Sequence, residues 1–169
     1  MGVAKTSFGR NQVDIDIVTY KVLDGQFSHV NTVHTIAGAA NSVIAIIPAT
    51  DTVAIVGEIS ADASAKYILW ENATITAASG TTLTSYNMNR NNTGSISTQF
   101  VKDPTWATSS AVKVRTDQIS TTRPVIKEPG DFGNKKFWIL NKSYTYVMEV
   151  TDTSAASNTV FWNLQVIEY

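Results

Sequence analysis

Two histidines, His29 and His34, are the residues of this chain best suited to metal binding or proton transfer. Because they are five positions apart, on a strand they face opposite sides, so the pair cannot hold one metal ion unless the strand bends. A metal site would therefore need a ring of one of these histidines around a symmetry axis. The ordinary interpretation, histidines on a polar surface or at a subunit interface, is favoured. No metal and no cofactor is predicted.

Asp14 and Asp16 share one face of another strand pattern. Two carboxylates in this arrangement bind calcium when a third oxygen ligand joins them. No further acidic cluster is close to them in sequence. Such a pair more often forms a solvated edge that discourages sheets from aggregating, and this interpretation is favoured.

Nucleophilic and hydrolytic chemistry has no recognisable arrangement in this sequence. Cysteine is absent, no serine stands in a Gly-x-Ser-x-Gly turn, and no glycine-rich phosphate loop occurs. A Ser-His-Asp triad would have to be assembled from distant residues. Nothing marks out Asp14, Glu58 or Glu71 as a glycosidase pair. The chain is therefore predicted not to be an enzyme.

An asparagine-rich stretch at 83–94 carries the first set of candidate contact residues. Asparagine tolerates left-handed backbone and closes turns with its own side chain, so neither a regular helix nor a central strand is expected here. Two interpretations stay open: recognition of a glycan, or hydrogen bonding across a subunit contact by amide and guanidinium groups. The residues concerned are Tyr86, Asn87, Asn89, Arg90 and Asn91.

The second set of candidates lies in residues 102–136, which hold three of the four prolines and seven basic against four acidic residues. A connection this long inside a compact domain is usually functional or disordered. Trp106 either anchors in a partner subunit or packs beneath its own loop. The basic residues Lys113, Arg115 and Arg123 either grip an acidic partner surface or are merely solvated.

Composition favours a single β domain. The 169 residues are 43% hydrophobic and 16% charged, and 37 of them are Ser or Thr. Branched residues such as threonine, valine and isoleucine suit strands. A net charge of −1 gives no global attraction to nucleic acid. The longest apolar run, at 43–48, is too short to span a membrane, and residues 1–12 do not resemble a signal peptide.

Alternating apolar and polar residues predict eight to ten short strands separated by turns. Alternation is seen at 13–17, 95–101, 144–150 and 160–166, and a further stretch at 27–36 follows an Asp-Gly turn signal. Trp162 and Trp70 are predicted to lie in the core. Residues 1–12 are predicted to form an N-terminal arm, and residues 102–136 a long irregular loop with one strand. The predicted fold is all-β, a single-domain antiparallel β-sandwich or jelly roll that spans residues 1–169.

Three stretches of the chain resemble a family of tailed-phage structural proteins. The most specific is Trp-Glu-Asn-Ala-Thr-Ile-Thr at 70–76, with Gly-Thr-Thr-Leu-Thr at 80–84 and Asn-Met-Asn-Arg-Asn at 87–91. A second is 14–34, where relatives have a histidine-rich stretch that is thinner here. The third runs from 137 to 146, with the aromatic last strand. Residues 102–136 do not align.

This resemblance implies a structural protein on the outer surface of the phage head, made in the host cytoplasm. It would be a capsid decoration (cement) protein of jelly-roll type, often a homotrimer in such roles, whose partner is the major capsid protein. No nucleic acid or membrane partner is implied. The alternative is a phage tail, fibre or baseplate protein of similar fold that binds a host-surface glycan.

Overall fold

The computed structural model describes residues 4–8, 11–15, 24–50, 53–76, 79–91, 95–119, 125–127 and 138–168. These residues form strands, turns and extended segments without a helix, and all strand pairs are antiparallel. The predicted all-β, antiparallel class is therefore confirmed. The described part of the chain accordingly has no helix long and apolar enough to cross a membrane.

Two large sheets contain most of the strands, which are numbered in chain order. Sheet I consists, in spatial order, of β13 (Val125–Lys127), β5 (Val53–Ala61), β16 (Asn158–Glu168), β3 (Phe27–Ile36) and β9 (Tyr86–Asn87), and β14 (Trp138–Leu140) also pairs with β5. Sheet II consists of β12 (Val112–Ile119), β6 (Ala65–Glu71), β15 (Tyr146–Asp152), β4 (Asn41–Ile47), β10 (Gln99–Lys102) and β8 (Thr81–Thr82). Two small sheets pair β1 (Ala4–Phe8) with β2 (Asn11–Ile15), and β7 (Thr74–Ile75) with β11 (Trp106–Ala107).

The main core lies between the inner faces of the two sheets. In β16, apolar and polar residues alternate along the sequence, and buried and exposed side chains alternate with them, because successive side chains point to opposite faces of a strand. Trp162 and Leu164 point inward, and Trp162 is only 1% exposed, as predicted, while Phe161 points outward. Sheet II contributes inward side chains such as Ile44 and Met148 to the same cluster.

The outer face of sheet II is covered by the chain itself. Val43, Ala45 and Val147 point away from the main core, yet they are buried in a second apolar cluster. The two-stranded sheet of β7 and β11, here called the ribbon, supplies Ile75 and Trp106 to this cluster. Because β4 and β15 are buried on both faces, they carry the continuous apolar sequence that a strand with one solvated face would not have.

Buried carboxylates hold the ends of the strands in place. Glu168, 7% exposed, accepts hydrogen bonds from the amides of Thr98 (2.6 Å) and Ser97 (2.8 Å), which ties the segment before β10 to the end of β16. Asp152 accepts from the Ser154 amide (3.0 Å) and the Asn158 side chain (3.0 Å) where β15 turns toward β16. Burial acts to raise the pKa of Asp152, but the hydrogen bonds outweigh it, so this pKa lies below its ordinary value.

Two segments predicted to be irregular contain strands. Within residues 1–12, β1 pairs with β2 as a hairpin that joins neither large sheet. Residues 102–136 contain β11, the edge strand β12 of sheet II and the edge strand β13 of sheet I. These strands are short or lie at sheet edges, where one solvated flank weakens the apolar pattern that sequence analysis depends on.

Asp14, one of the two aspartates considered as calcium ligands and predicted instead to form a solvated edge, lies in β2 opposite Lys5. Asp16 lies outside the described residues, as does Arg123. The shared face of Asp14 and Asp16 therefore stays a prediction.

Replacing Glu168 by Ala is expected to lower the free energy of unfolding by about 3 kcal/mol, because two backbone amides lose a charged acceptor. Urea unfolding followed by circular dichroism measures this change, with an unchanged slope indicating that only stability has altered. Glu58→Ala is the matched control, since Glu58 is an exposed glutamate on β5. Equal effects of the two substitutions would show that Glu168 does not anchor the segment.

Candidate functional site

The structure separates the predicted contact residues into two groups on opposite sheets. Trp106 and Lys113 come together on the outer face of sheet II, on either side of Trp70. The asparagine-rich residues lie on and after β9, at the edge of sheet I. The sequence treated both groups as parts of one interface, but the fold does not place them together.

Trp70, Trp106 and Lys113 form the first group, here called the Trp–Lys patch. The two indole rings lie 5.8 Å apart between centroids at an angle of 60°, a tilted arrangement that aromatic pairs favour. The ammonium nitrogen of Lys113 lies 5.0 Å from the centroid of the Trp70 ring, within the range of a cation–π contact. Both tryptophans are half-buried, so part of each ring stays in contact with solvent.

Glu149 fixes the position of this patch. It is a buried carboxylate on the outward side of β15, and it accepts hydrogen bonds from the Trp70 indole (2.9 Å) and the Asn41 side chain (2.7 Å). The sequence analysis did not identify Glu149 as part of a site. One signal could have identified it: Glu149 is an acidic residue within the apolar run 146–150, and a buried carboxylate needs a hydrogen-bond donor as its partner.

The ribbon carries Trp106, and hydrogen bonds hold its two strands together. Ile75 pairs with Trp106, and the Thr76 amide donates to the Thr105 carbonyl at 2.8 Å. Asn72, which has a positive φ of 59°, lets the chain turn from β6 into the ribbon. Of the two interpretations of Trp106, packing within its own chain is present, and its use as an anchor in a partner stays a prediction.

The edge strand β12 borders the Trp–Lys patch. It pairs only with β6 among the described strands, and the register shifts between Lys113 and Arg115. Val112 is 57% exposed and Val114 is also exposed, while Arg115 forms an ion pair with Asp117. An exposed strand edge with apolar side chains is a place where another chain can pair.

The asparagine-rich group uses part of its polar capacity within its own chain. Asn87 donates to the Gly25 carbonyl (3.0 Å) and accepts from the Asn89 amide (2.8 Å), and Asn89 accepts from the Asn91 amide (3.1 Å). These are the local turns expected of asparagine. Tyr86, Arg90 and Asn91 are exposed, so they are the members of this group most accessible to a partner.

The two histidines differ in environment. His29 faces outward from β3, and its Nε2 lies 2.8 Å from Oδ1 of Asn163. His34 faces the core and is 4% exposed, so the prediction of a surface or interface histidine is wrong for this residue. The opposite orientation of the pair, which prevents them from sharing a metal, is confirmed.

His34 belongs to a polar cluster that joins the sheets. Its Nδ1 lies 2.6 Å from Oγ of Ser42 and 3.4 Å from Oδ1 of Asp103, and Ser42 accepts a hydrogen bond of 2.8 Å from the Trp162 indole. A catalytic triad uses one imidazole nitrogen for the serine and the other for the carboxylate. Here both contacts involve Nδ1 and the Ser42 hydroxyl is buried, so the cluster is structural in its geometry.

No three His, Cys, Asp or Glu side chains converge as a metal site within the residues the structure describes. The chain is an all-β sandwich with an aromatic and cationic patch on one outer face. No protein-family model, curated protein or solved structure matches it.

The buried His34 makes stability depend on pH. Burial lowers its pKa from the ordinary value of 6.5, Asp103 opposes this shift, and Lys102 adds to it. Just below pH 6.5 the unfolded chain therefore binds more protons at this site than the folded chain. Stability must fall as the pH decreases, by at most about 1.4 kcal/mol per pH unit for one group.

We expect the urea midpoint of the wild-type chain to fall from pH 7.5 to pH 5.0, and His34→Gln to reduce this fall because glutamine does not titrate. His29→Gln is the control, since it removes a histidine from the solvated side of the same strand. If His34→Gln leaves the pH profile unchanged, His34 does not contribute to it.

Proposed function

We propose that this chain is a structural subunit of a tailed-phage virion, a capsid decoration protein that binds the major capsid protein lattice and stabilises the head. The resemblance of residues 70–91 to such proteins supports the proposal. We further propose that it assembles as a homotrimer on the outer surface of the head.

The strand order supports a jelly roll. With residues 72–111 set aside, sheet I has the order β3-β16-β5-β13 and sheet II the order β4-β15-β6-β12. The first and last strands of the chain's main body are neighbours in sheet I, and the second and second-last are neighbours in sheet II. Two interlocked Greek keys have this order, and the jelly roll they form recurs in viral capsid and lectin domains.

The Trp–Lys patch is the observation that carries the proposed docking role. Tryptophan is among the residue types that dominate binding energies at protein interfaces, and both tryptophans of the patch are half-exposed. On the neighbouring strand β12, Val112 and Val114 are exposed, and among the described strands β12 pairs on one side only. Together they offer apolar area, a positive charge for an acidic capsid group, and a strand edge for backbone pairing.

Stabilisation of a shell follows from this kind of contact by mass action. A subunit that binds only the closed shell adds its binding free energy to the cost of opening it. Several copies of the patch in one oligomer would engage neighbouring capsid subunits at once, so weak single contacts would combine into strong attachment.

The proposal is tested with heads from a phage that lacks this gene. We expect the purified protein to bind these heads saturably in sedimentation assays and to raise the temperature at which they release DNA. Trp106→Ala is expected to weaken binding at least about thirtyfold, the effect of an interface residue contributing about 2 kcal/mol. Lys113→Glu, at an exposed position, should also weaken binding without unfolding the chain.

The matched control is Asn31→Ala, because Asn31 is an exposed residue on the outer face of sheet I. This variant should bind heads as the wild type does. Thermal unfolding of each variant separates lost binding from lost fold. Absence of binding to heads, with the protein recovered on tails instead, would contradict the decoration role.

A further inference from the structure

The outer face of sheet I differs from that of sheet II because strands β3, β5, β9 and β16 leave exposed side chains on it. Tyr86 lies opposite His29, and Asn163 lies between Asn31 and Glu58, in the register of neighbouring strands. Phe161 stands two positions before Asn163 on the same side of β16. These six residues are called the open face.

The composition of the open face is unusual for a solvated sheet surface. Tyr86 is 49% exposed and Phe161 is 41% exposed, so two aromatic rings are accessible to solvent. Between them lie the amides of Asn31 and Asn163 rather than the lysines and glutamates that normally solvate a sheet. Glu58 is the one carboxylate among the six, and the register sets Lys127 of β13 opposite it.

One hydrogen bond orders the centre of this face. The Nε2 of His29 lies 2.8 Å from Oδ1 of Asn163, so the imidazole donates and the amide oxygen accepts. The Nδ2 group of Asn163 is then the part of this amide that an incoming acceptor would meet. Asn31 on the adjacent strand can donate and accept, and Glu58 can accept from hydroxyl groups.

The dimensions of the face suit an extended ligand. Tyr86 and Phe161 are two strands apart and four positions apart along the register. Standard strand spacings place them about 10 Å apart across the sheet and about 13 Å apart along it. A short chain of sugar rings can lie across this distance, with its apolar ring faces on the two aromatic rings and its hydroxyls on the amides.

We infer that the open face binds an uncharged oligosaccharide. The occupant is uncharged because the polar groups at the centre of the face are amides and an imidazole, and the register sets Lys127 opposite Glu58, the one carboxylate. It is polyhydroxylated because hydroxyl groups can both donate to and accept from the polar groups of the face, while the apolar ring faces of a sugar can pack on the flanking aromatic rings. Of these residues the sequence analysis had singled out Tyr86 as a contact, and the others come together only through strand pairing.

This inference does not depend on the proposed docking role. The open face and the Trp–Lys patch lie on the outer faces of different sheets, on opposite sides of the sandwich. A chain attached through one patch can therefore bind a sugar with the other. A variant can therefore lose binding to heads and keep binding to sugar, or the reverse, so each proposal can fail without the other.

The test uses the full-length chain, fluorescently labelled, on an array of immobilised neutral and anionic oligosaccharides. We expect binding to at least one class of neutral oligosaccharide, and titration calorimetry with the best neutral array component in solution then gives its Kd. Tyr86→Ala and Asn163→Ala are each expected to raise this Kd at least tenfold, whereas Tyr86→Phe, which keeps the ring, should change it less than threefold.

Gln118→Ala, at an exposed position on β12 of the opposite sheet, is the matched control and should leave the Kd unchanged. Melting temperatures identify any variant that fails to fold. If one of the two alanine variants does not fold, the other still tests the inference. The inference is overturned if the array binds no oligosaccharide, if it binds only anionic ones, or if folded Tyr86→Ala and Asn163→Ala variants bind as the wild type does.

Discussion

Both faces of β4 and β15 are buried, and much of the remaining architecture depends on this requirement. Inward side chains such as Ile44 and Met148 join the main core, and the outward Val43 and Val147 need a second cover. Exposing this much apolar surface on the outer face of the sheet to water would raise the free energy of the folded chain. The ribbon supplies the cover, and with it comes Trp106, which then packs on Trp70.

The buried polar groups are matched to partners in the same manner. Glu149 is accommodated on an apolar outer face because Trp70 and Asn41 both donate to it. Glu168 is accommodated because two backbone amides donate to it. Each of these groups would otherwise carry the desolvation penalty of an unpaired charge, so each fixes the strand or segment that supplies its donors.

The two outer faces consequently have different characters. Sheet II presents to solvent an aromatic and cationic patch beside β12, which pairs with only one other strand among the described residues, and this is the surface proposed to bind a protein partner. Sheet I shows solvent amides between two aromatic rings, which suits a neutral polyhydroxyl ligand. The residues 72–111, inserted between β6 and β12, contribute to both faces, since Trp106 lies on one and Tyr86 on the other.

The sequence by itself determined the class of fold and the strands with the clearest pattern. The alternation at 160–166 corresponds to β16, because this strand has one buried and one solvated face and the period of two is a local property. The core position of Trp162 follows from the same periodicity. The stretch at 27–36, placed after a turn signal, corresponds to β3. The opposite orientation of His29 and His34 also required no knowledge of the fold.

Only the tertiary structure decided which distant residues share a face. His34 meets Ser42 of β4 and Asp103, which follows β10, and the neighbours of Tyr86 depend on the pairing of β9 with β3. Within 102–136 the sequence predicted one strand, which corresponds to β12, but it did not predict β11 and β13. Short strands at sheet edges have a weak apolar pattern and are fixed by the strands they pair with. Local periodicity sets which side chains alternate, but pairing between distant strands sets what those side chains meet, and no local pattern encodes that register.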